Sequence, residues 1–582
     1  MKHRTLALLL ALVLCFSLLA GCGSSSSDTE ETTTEAEEAE EAAEEAEEET
    51  EAAEEAEEEE TAEEETTEAA AEEAAAEESA EEETEEAAEA VSITYPIEGE
   101  MVTLTMFNTF KAPFDEIMHS DDFPNIEYLE EQTNVHIEWM DLTMDTADEQ
   151  FNLLCAADDL PDMISNGISY YNGSIEQTIE DEVFLRLNDL LPEYAPDYWA
   201  LLTADESMVR DASDDSGNMV SVYAIKDTYV AVNGGYVIRQ DYLDALGLDV
   251  PVTYDEFTEV LEAIVVAYDP ECAFAITSDN YTGLLTAGFG VSGEGFYQVD
   301  GVVMNTFVSD GYRSYVELMV DWYDKGIISH DFLSYSSDPM ASDNKARIYT
   351  GDNVIFSTQA EEFYTLAEAA DDPNFSLTAI NEPVENEGDI THFTDVSTLG
   401  SSNTMEISAN CEYPEIALMW LNYFYTDVGS DVGNFGIPGE TFDYDEDGNP
   451  YFLDSFVNNE EGYALNRIAA AWSGYGKWPM YNQETRLFQI LDDAQLEAYE
   501  VWHSGADGAY LMSSVTLTTE ESDQITSKYN DIETYVDENI AKFIVGDKSM
   551  DEFDDFVETL YDMGIQECID VYQQAYDRYL ER

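Results

Sequence analysis

Trp472, Tyr475 and Trp478 crowd one glycine-rich stretch, with Gly474, Gly476, Lys477 and Pro479 among them. Tryptophans in such a loop are costly to expose unless they contact something. Aromatic rings can cover the apolar C–H faces of a sugar, and carboxylates or amides can hold its hydroxyl edges, so a sugar cleft needs both together. Two other stretches combine them. Asn166 with Tyr170, Tyr171 and Asn172 follows the Asp162–Ser165 segment, and Gln359 with Phe363 and Tyr364 follows the apolar run ending at Phe356. Each has a plainer reading: surface tyrosines in a turn for the first, and a helix packing its aromatics inward for the second. Tyr281, Phe289 and Phe296 form a fainter cluster, whereas Trp139, Trp322 and Trp420 fall on strand or helix patterns and read as core.

Other chemistries find less support. The six histidines show no metal-ligand spacing such as two on one helix face. There is no phosphate-cradling loop and no Gly-x-Ser-x-Gly elbow; Gly293-Glu294-Gly295 lacks the nucleophile. Carboxylates are so numerous that a glycosidase pair can be imagined anywhere, so none counts as evidence. Asp443, Asp445, Asp447 and Gly448 match the opening of a calcium loop, with Asp454 where a bidentate glutamate belongs. Asp447-Gly448-Asn449 between aromatic runs is also a strong hairpin turn, and that reading is preferred. No catalytic residue, metal or cofactor is expected.

The elements that would position these residues alternate in type. Val102–Phe107 reads as a strand, Asn125–Thr133 as a helix, Val135–Trp139 as a strand and Ala147–Ala157 as a helix, with a third strand entered at Leu160–Ile164. Tyr236–Ile238 is a strand, followed by a short helix ended by Gly247. Thr253 and Glu256 form a capping box for the next helix. Strands at Ala273–Thr277 and Asn353–Phe356, helices at Gly311–Lys325 and from Pro414, and a helical tail from Leu487 to Tyr579 complete the pattern. Such alternation implies α/β architecture with parallel sheet. Four cysteines, Cys155, Cys272, Cys411 and Cys568, are widely separated and carry no assignable disulfide.

Leu160-Pro161-Asp162-Met163, the run Gly235–Leu243 continuing through Gly247 and Pro251 to Thr253–Phe257, and Ile407-Ser408-Ala409-Asn410 before the Pro414 helix resemble extracellular solute-binding proteins of family 1. The late run Val515–Thr518 through Gly564 to Tyr579 resembles the large, lipid-anchored members. The resemblance covers nearly all of residues 95–582. It implies a periplasmic-binding-protein-like fold with two α/β lobes, several crossovers and a helical C-terminal region, closing on a ligand held between the lobes. It further implies a receptor, not an enzyme, that delivers an oligosaccharide to the membrane subunits of an ABC importer and works as a monomer. A peptide or other organic-solute receptor on the same scaffold is the alternative, followed by a surface polysaccharide-active enzyme or adhesin.

The N-terminus has its own logic. Lys2, His3 and Arg4 precede an apolar run from Leu6 to Leu19, which is the length of a signal core and too short to span a membrane. Leu19-Ala20-Gly21-Cys22 resembles a bacterial lipobox, which would make residues 1–21 a signal peptide and Cys22 a lipidated N-terminus on the outer face of the cell membrane, as in a Gram-positive-type envelope. Residues 22–94 then form an acidic tether. Between Asp28 and Ala90 lie 34 of the chain's 131 acidic residues and no Lys or Arg. Like charges at neighbouring helical positions repel, so this stretch fluctuates between helix and coil. Its 63 residues reach roughly 95 Å if helical. Beyond Ala90, 97 acids face 17 bases, a surface that repels nucleic acid and anionic headgroups.

Overall fold

The structure is a computed structural model that describes residues 91–110, 117–274, 276–278, 280–335, 342–459, 462–504, 507–512 and 515–582. The signal, Cys22 and most of the acidic tether lie outside the described residues. No helix among the described residues is long and apolar enough to cross a membrane.

The chain builds one lobe, crosses to a second, returns, and crosses again. Strands β1 (Val102–Thr109), β2 (Val135–Leu142), β3 (Met163–Ser165) and β4 (Ser221–Lys226) open the first lobe. The second lobe holds β5 (Gly234–Arg239), β6 (Cys272–Phe274), the hairpin β7 (Phe296–Val299) and β8 (Val302–Asn305), then β9 (Asn353–Gln359) and β10 (Leu377–Ile380). The chain then re-enters the first lobe with β11 (Leu399–Ile407), the hairpin β12 (Phe442–Tyr444) and β13 (Pro450–Phe452), and β14 (Tyr481–Asn482). Helices at Asp493–His503, Thr519–Ile544, Phe553–Met563 and Ile565–Glu581 finish the second lobe.

The first sheet runs β14-β4-β11-β3-β1-β2 and the second β10-β5-β9-β6. Neither is purely parallel, contrary to the expectation from alternation alone. β11 runs antiparallel to both β3 and β4, and β5 antiparallel to both β9 and β10. Each reversed strand is one that begins directly after a crossing between lobes, so its direction is set by the returning chain.

Each sheet has its own core. Leu104, Met106, Met163, Val222, Met405, Trp420 and Trp478 lie in the first, and Ile238, Phe257, Phe274, Trp322 and Val354 in the second, where the C-terminal helices add Ile532, Val536, Phe543 and Leu560. Local signals act where the sequence places them. Thr253 and Glu256 cap the helix Tyr254–Tyr268 reciprocally, and Gly247 ends the preceding helix at φ +69°, where a side chain would be strained. The strand expected at Ala273–Thr277 is shorter and begins at Cys272. The one expected to stop at Phe356 continues to Gln359. Cys155, Cys272, Cys411 and Cys568 are all free thiols.

Ile225 is the point where the crossings meet. It pairs with Leu399 on one side and Tyr481 on the other, so the end of β4, the start of β11 and β14 lie side by side. The Lys226 N–H donates to the Thr398 carbonyl at 2.8 Å, and the Asp227 N–H to the Asn482 carbonyl at 3.0 Å. Three neighbouring segments therefore join the lobes. The last helix adds a tie of its own: Arg578 and Arg582 both bond Asp215 of the first lobe, at 2.8 and 2.5 Å.

Candidate ligand-binding cleft

The crossings leave the first sheet at the end where β1, β3 and β4 terminate, and enter the second at the end where β9 and β10 terminate. Carboxyl ends of strands thus border the junction in both lobes, which is where α/β proteins place ligands. Residues after those ends come first: Phe110 and Ile117–Asn125 after β1, Asn166–Asn172 after β3, and Ala360–Phe363 after β9.

Most of the Asn166 stretch is engaged by its own lobe. Asn166 adopts φ 55°, and its Oδ1 accepts from the Asn403 and Thr404 N–H groups at 2.7 and 3.1 Å, bracing an irregularity in β11. The Tyr170 ring, half-buried, packs on Phe107 and Phe151. The Tyr171 hydroxyl donates to Asp181 at 2.5 Å, and Asn172 is exposed. Beneath them lies Glu406, which the sequence reading missed. Its buried carboxylate accepts from Gly167 N–H at 2.5 Å, Ser221 Oγ at 2.6 Å and Thr404 Oγ1 at 2.8 Å, and burial pushes its pKa up to about 7 against those donors.

The glycine-rich stretch divides. Trp478 is 0% exposed and packs against Trp139, Trp420 and Phe424. It is a core side chain in this structure, not a cleft ring, because Gly474, where a Cβ would come within 2.7 Å of the indole, lets the loop fold directly over it. Trp472 remains half-buried, near Phe456 and beside Phe110, Ile117 and Phe123 at the end of β1. Tyr475 is half-buried too, with the Arg486 guanidinium 4.1 Å from its ring centroid. The Lys477 ammonium lies 3.5 Å from the Phe123 ring centroid and donates to the Ser473 and Ala471 carbonyls at 2.5 and 3.3 Å, at the C-terminal end of the helix Leu465–Trp472.

From the second lobe, Gln359 is exposed at the last position of β9, opposite Gly234. Phe363 packs edge-on to Trp502, whose indole N–H donates to the Tyr236 carbonyl at 3.0 Å. Tyr364 lies in the helix Phe363–Ala369, but its side chain is outside the described residues. Sequence reasoning passed over Glu361, whose Oε1 accepts from the Tyr499 hydroxyl at 3.1 Å while its Oε2 is buried without a partner. Burial raises the Glu361 pKa, and the Arg486 charge from across the junction opposes that rise. Arg486 is itself held to the first lobe by Nε donating to the Asn434 carbonyl at 3.1 Å. Tyr475 and Arg486 from one lobe and Glu361 and Tyr499 from the other therefore act on one another across the junction.

The remaining candidates are structural. Tyr281 is buried with its hydroxyl donating to the Asp537 carbonyl, Phe289 stacks on Tyr254, and Phe296 on Tyr572. Asp443, Asp445 and Asp447 lie in the β12–β13 hairpin, as the turn reading expects. There Asp445 accepts from the Asp447 and Asn449 N–H groups at 2.9 Å each. Among the described residues, no cluster of three His, Cys, Asp or Glu side chains is arranged to hold a metal ion.

Two α/β lobes, joined by three adjacent segments and meeting at strand ends lined with aromatic and polar side chains, define a hinged binding protein. The chain belongs to the family described as bacterial extracellular solute-binding protein, whose profile matches residues 126–429. This is a family of binding proteins, not enzymes. The fructooligosaccharide ABC transporter substrate-binding protein FusA of Streptococcus pneumoniae serotype 4 is 25% identical over 540 residues, covering 84% of this chain and 94% of the relative. Among solved structures, a human-milk-oligosaccharide (HMO)-binding, ABC-transporter-associated protein from Bifidobacterium longum infantis aligns with a TM-score of 0.64 at 19% identity, covering 83% and 99% of the two chains. The alginate-binding protein AlgQ2 aligns at 0.61 and 22% identity, covering 82% and 98%. Both have the fold seen here.

Proposed function

We propose that this chain captures an oligosaccharide between its lobes outside the cell and delivers it to the permease subunits of an ABC importer. The observation that carries the reading is the composition of the junction. Trp472 and Tyr475 from one lobe and Gln359, Glu361 and Phe363 from the other, each with exposed surface, supply ring faces and hydroxyl-binding groups at the junction. Ligand-driven closure follows if the solute touches both lobes only when they approach. The names of the relatives, which include fructooligosaccharide, HMO and alginate binders, support the choice of glycan.

Anchoring at Cys22, with residues 22–94 as a spacer, supports action as a tethered monomer on the outer face of the cell membrane. Of the earlier candidates, Gln359, Phe363, Asn172, Trp472 and Tyr475 are the ligand contacts proposed here: each keeps exposed surface, whereas the Asn166, Tyr170 and Tyr171 side chains are engaged by their own lobe.

Thermal unfolding of the full chain against oligosaccharides and basic peptides tests the reading. A ligand that binds only the native state stabilises it by about 2.7 kcal/mol at a hundredfold excess over its Kd. A midpoint shift with a glycan class supports it. A shift with basic peptides and none with glycans overturns it in favour of a peptide receptor, to which the acidic surface is suited.

A further inference from the structure

Arg486 is 3% exposed, yet no described residue accepts a hydrogen bond from either of its Nη atoms, and it makes no ion pair. Arg239, the other buried cation among the described residues, is paired with Asp241. Arg313, Lys325, Lys528, Arg578 and Arg582 each pair with a carboxylate, as an acidic protein makes easy. Arg486 instead has the Tyr475 ring, the Asn434 carbonyl and the charge of Glu361, with Lys477 close enough to act as a like charge. Lys477 also lacks a carboxylate partner, being held by two carbonyls and the Phe123 ring. Burial disfavours the charged form of both, and they repel one another. A desolvated cation–π contact returns less than burying an unpaired charge costs. The charge of Glu361 acts on Arg486, but the two share no hydrogen bond or ion pair: Glu361 Oε1 accepts from Tyr499 and its Oε2 has no partner.

From this geometry we infer that Arg486, with Lys477 beside it, receives the carboxylate of an acidic oligosaccharide, so that the solute is a hexuronate-containing glycan. The inference rests on the oligosaccharide reading above and narrows it. A guanidinium fork with both Nη atoms unbonded matches a planar carboxylate in a bidentate pair. Tyr475 and Trp472, in the same stretch as Lys477, offer ring faces to the sugar carrying it. The protein's large negative charge does not forbid this. Charges farther than about 8 Å are largely screened at physiological ionic strength, which leaves two local cations against Glu361, whose charged form burial disfavours.

The test compares hexuronate trimers, of galacturonate and of mannuronate, with their methyl esters and with neutral trimers of equal length, by calorimetry on the full chain. The acids should bind about 10- to 100-fold tighter than their esters, the worth of a charged hydrogen-bonded pair. In Arg486→Gln, with native circular dichroism as a check, that acid-to-ester ratio should fall toward one. The wild-type comparison with esters decides the matter even if the variant does not fold. Esters or neutral trimers binding as tightly as the acids overturn the inference and leave the oligosaccharide receptor standing. Failure of every glycan, with peptides binding, overturns both.

Discussion

The carboxylate of Asp227 accepts the Tyr481 hydroxyl, binding the segment that leaves β4 to the strand that carries the chain out of the first lobe for the last time. The other Asp227 oxygen accepts the Glu484 N–H at 2.8 Å, at the start of the helix that presents Arg486. One carboxylate thus fixes two crossings relative to each other and sets the base of the cleft.

Asp227→Ala removes these charge-assisted bonds, each worth about 1.5–3 kcal/mol. The chain should lose about 2 kcal/mol or more in urea unfolding. Ligand affinity should also fall, although Asp227 is not among the proposed contacts. An unchanged denaturation midpoint would show that the crossings are held by β-pairing alone.

Trp478 and Tyr475 stand three residues apart and should behave differently. Trp478→Ala opens a cavity in the first lobe's core, a change that costs about 3–5 kcal/mol. Tyr475→Ala should cost less in urea unfolding and weaken glycan binding about tenfold, or ~1.4 kcal/mol, by calorimetry. The reverse order of effects would place the ligand on Trp478.

Glu382 follows β10, and its Oε2 is buried with no partner. Burial raises its pKa to about 7 from 4.5. Between those values the folded chain binds the proton and the unfolded chain does not, so stability falls as pH rises from about 4.5 to 7 and levels off above. The loss from this group is about 2–3 kcal/mol. Glu382→Gln, neutral at every pH, should remove that part of the slope in urea unfolding at pH 5 and 7.5. An identical slope in both proteins would mean that Glu382 is ionised when folded.

Cys22→Ala should abolish incorporation of an alkynyl fatty acid in cells and shift the protein from the membrane fraction to the medium. Retention in the membrane without label would refute the anchor.

The elements were legible because they carry local signals. The capping box at Thr253 and Glu256, the left-handed Gly247 and the alternation of Val135–Trp139 are readable without partners. The reversed β5 and β11 were not, since their direction depends on crossings hundreds of residues apart. In the cleft, the stretch around Tyr475 was visible as aromatic composition, but nothing local distinguishes Trp478, in the core, from Tyr475, which keeps an exposed face. Arg486 was missed because it stands in no aromatic cluster, and Glu361, inside the Gln359–Tyr364 stretch, because carboxylates are too numerous in this chain for one to stand out. The one available signal was the rarity of cations, 19 Lys and Arg in 582 residues.

Closure of the two lobes on a glycan is the central claim, and a distance measures it. Spin labels at Glu176→Cys in the first lobe and Ala369→Cys in the second, both exposed positions outside the proposed contacts, can be read by double electron–electron resonance in a Cys155→Ser background. Saturating oligosaccharide should shorten and narrow the distribution of distances between them. A distribution unchanged at a concentration where calorimetry shows the site full would contradict capture by closure.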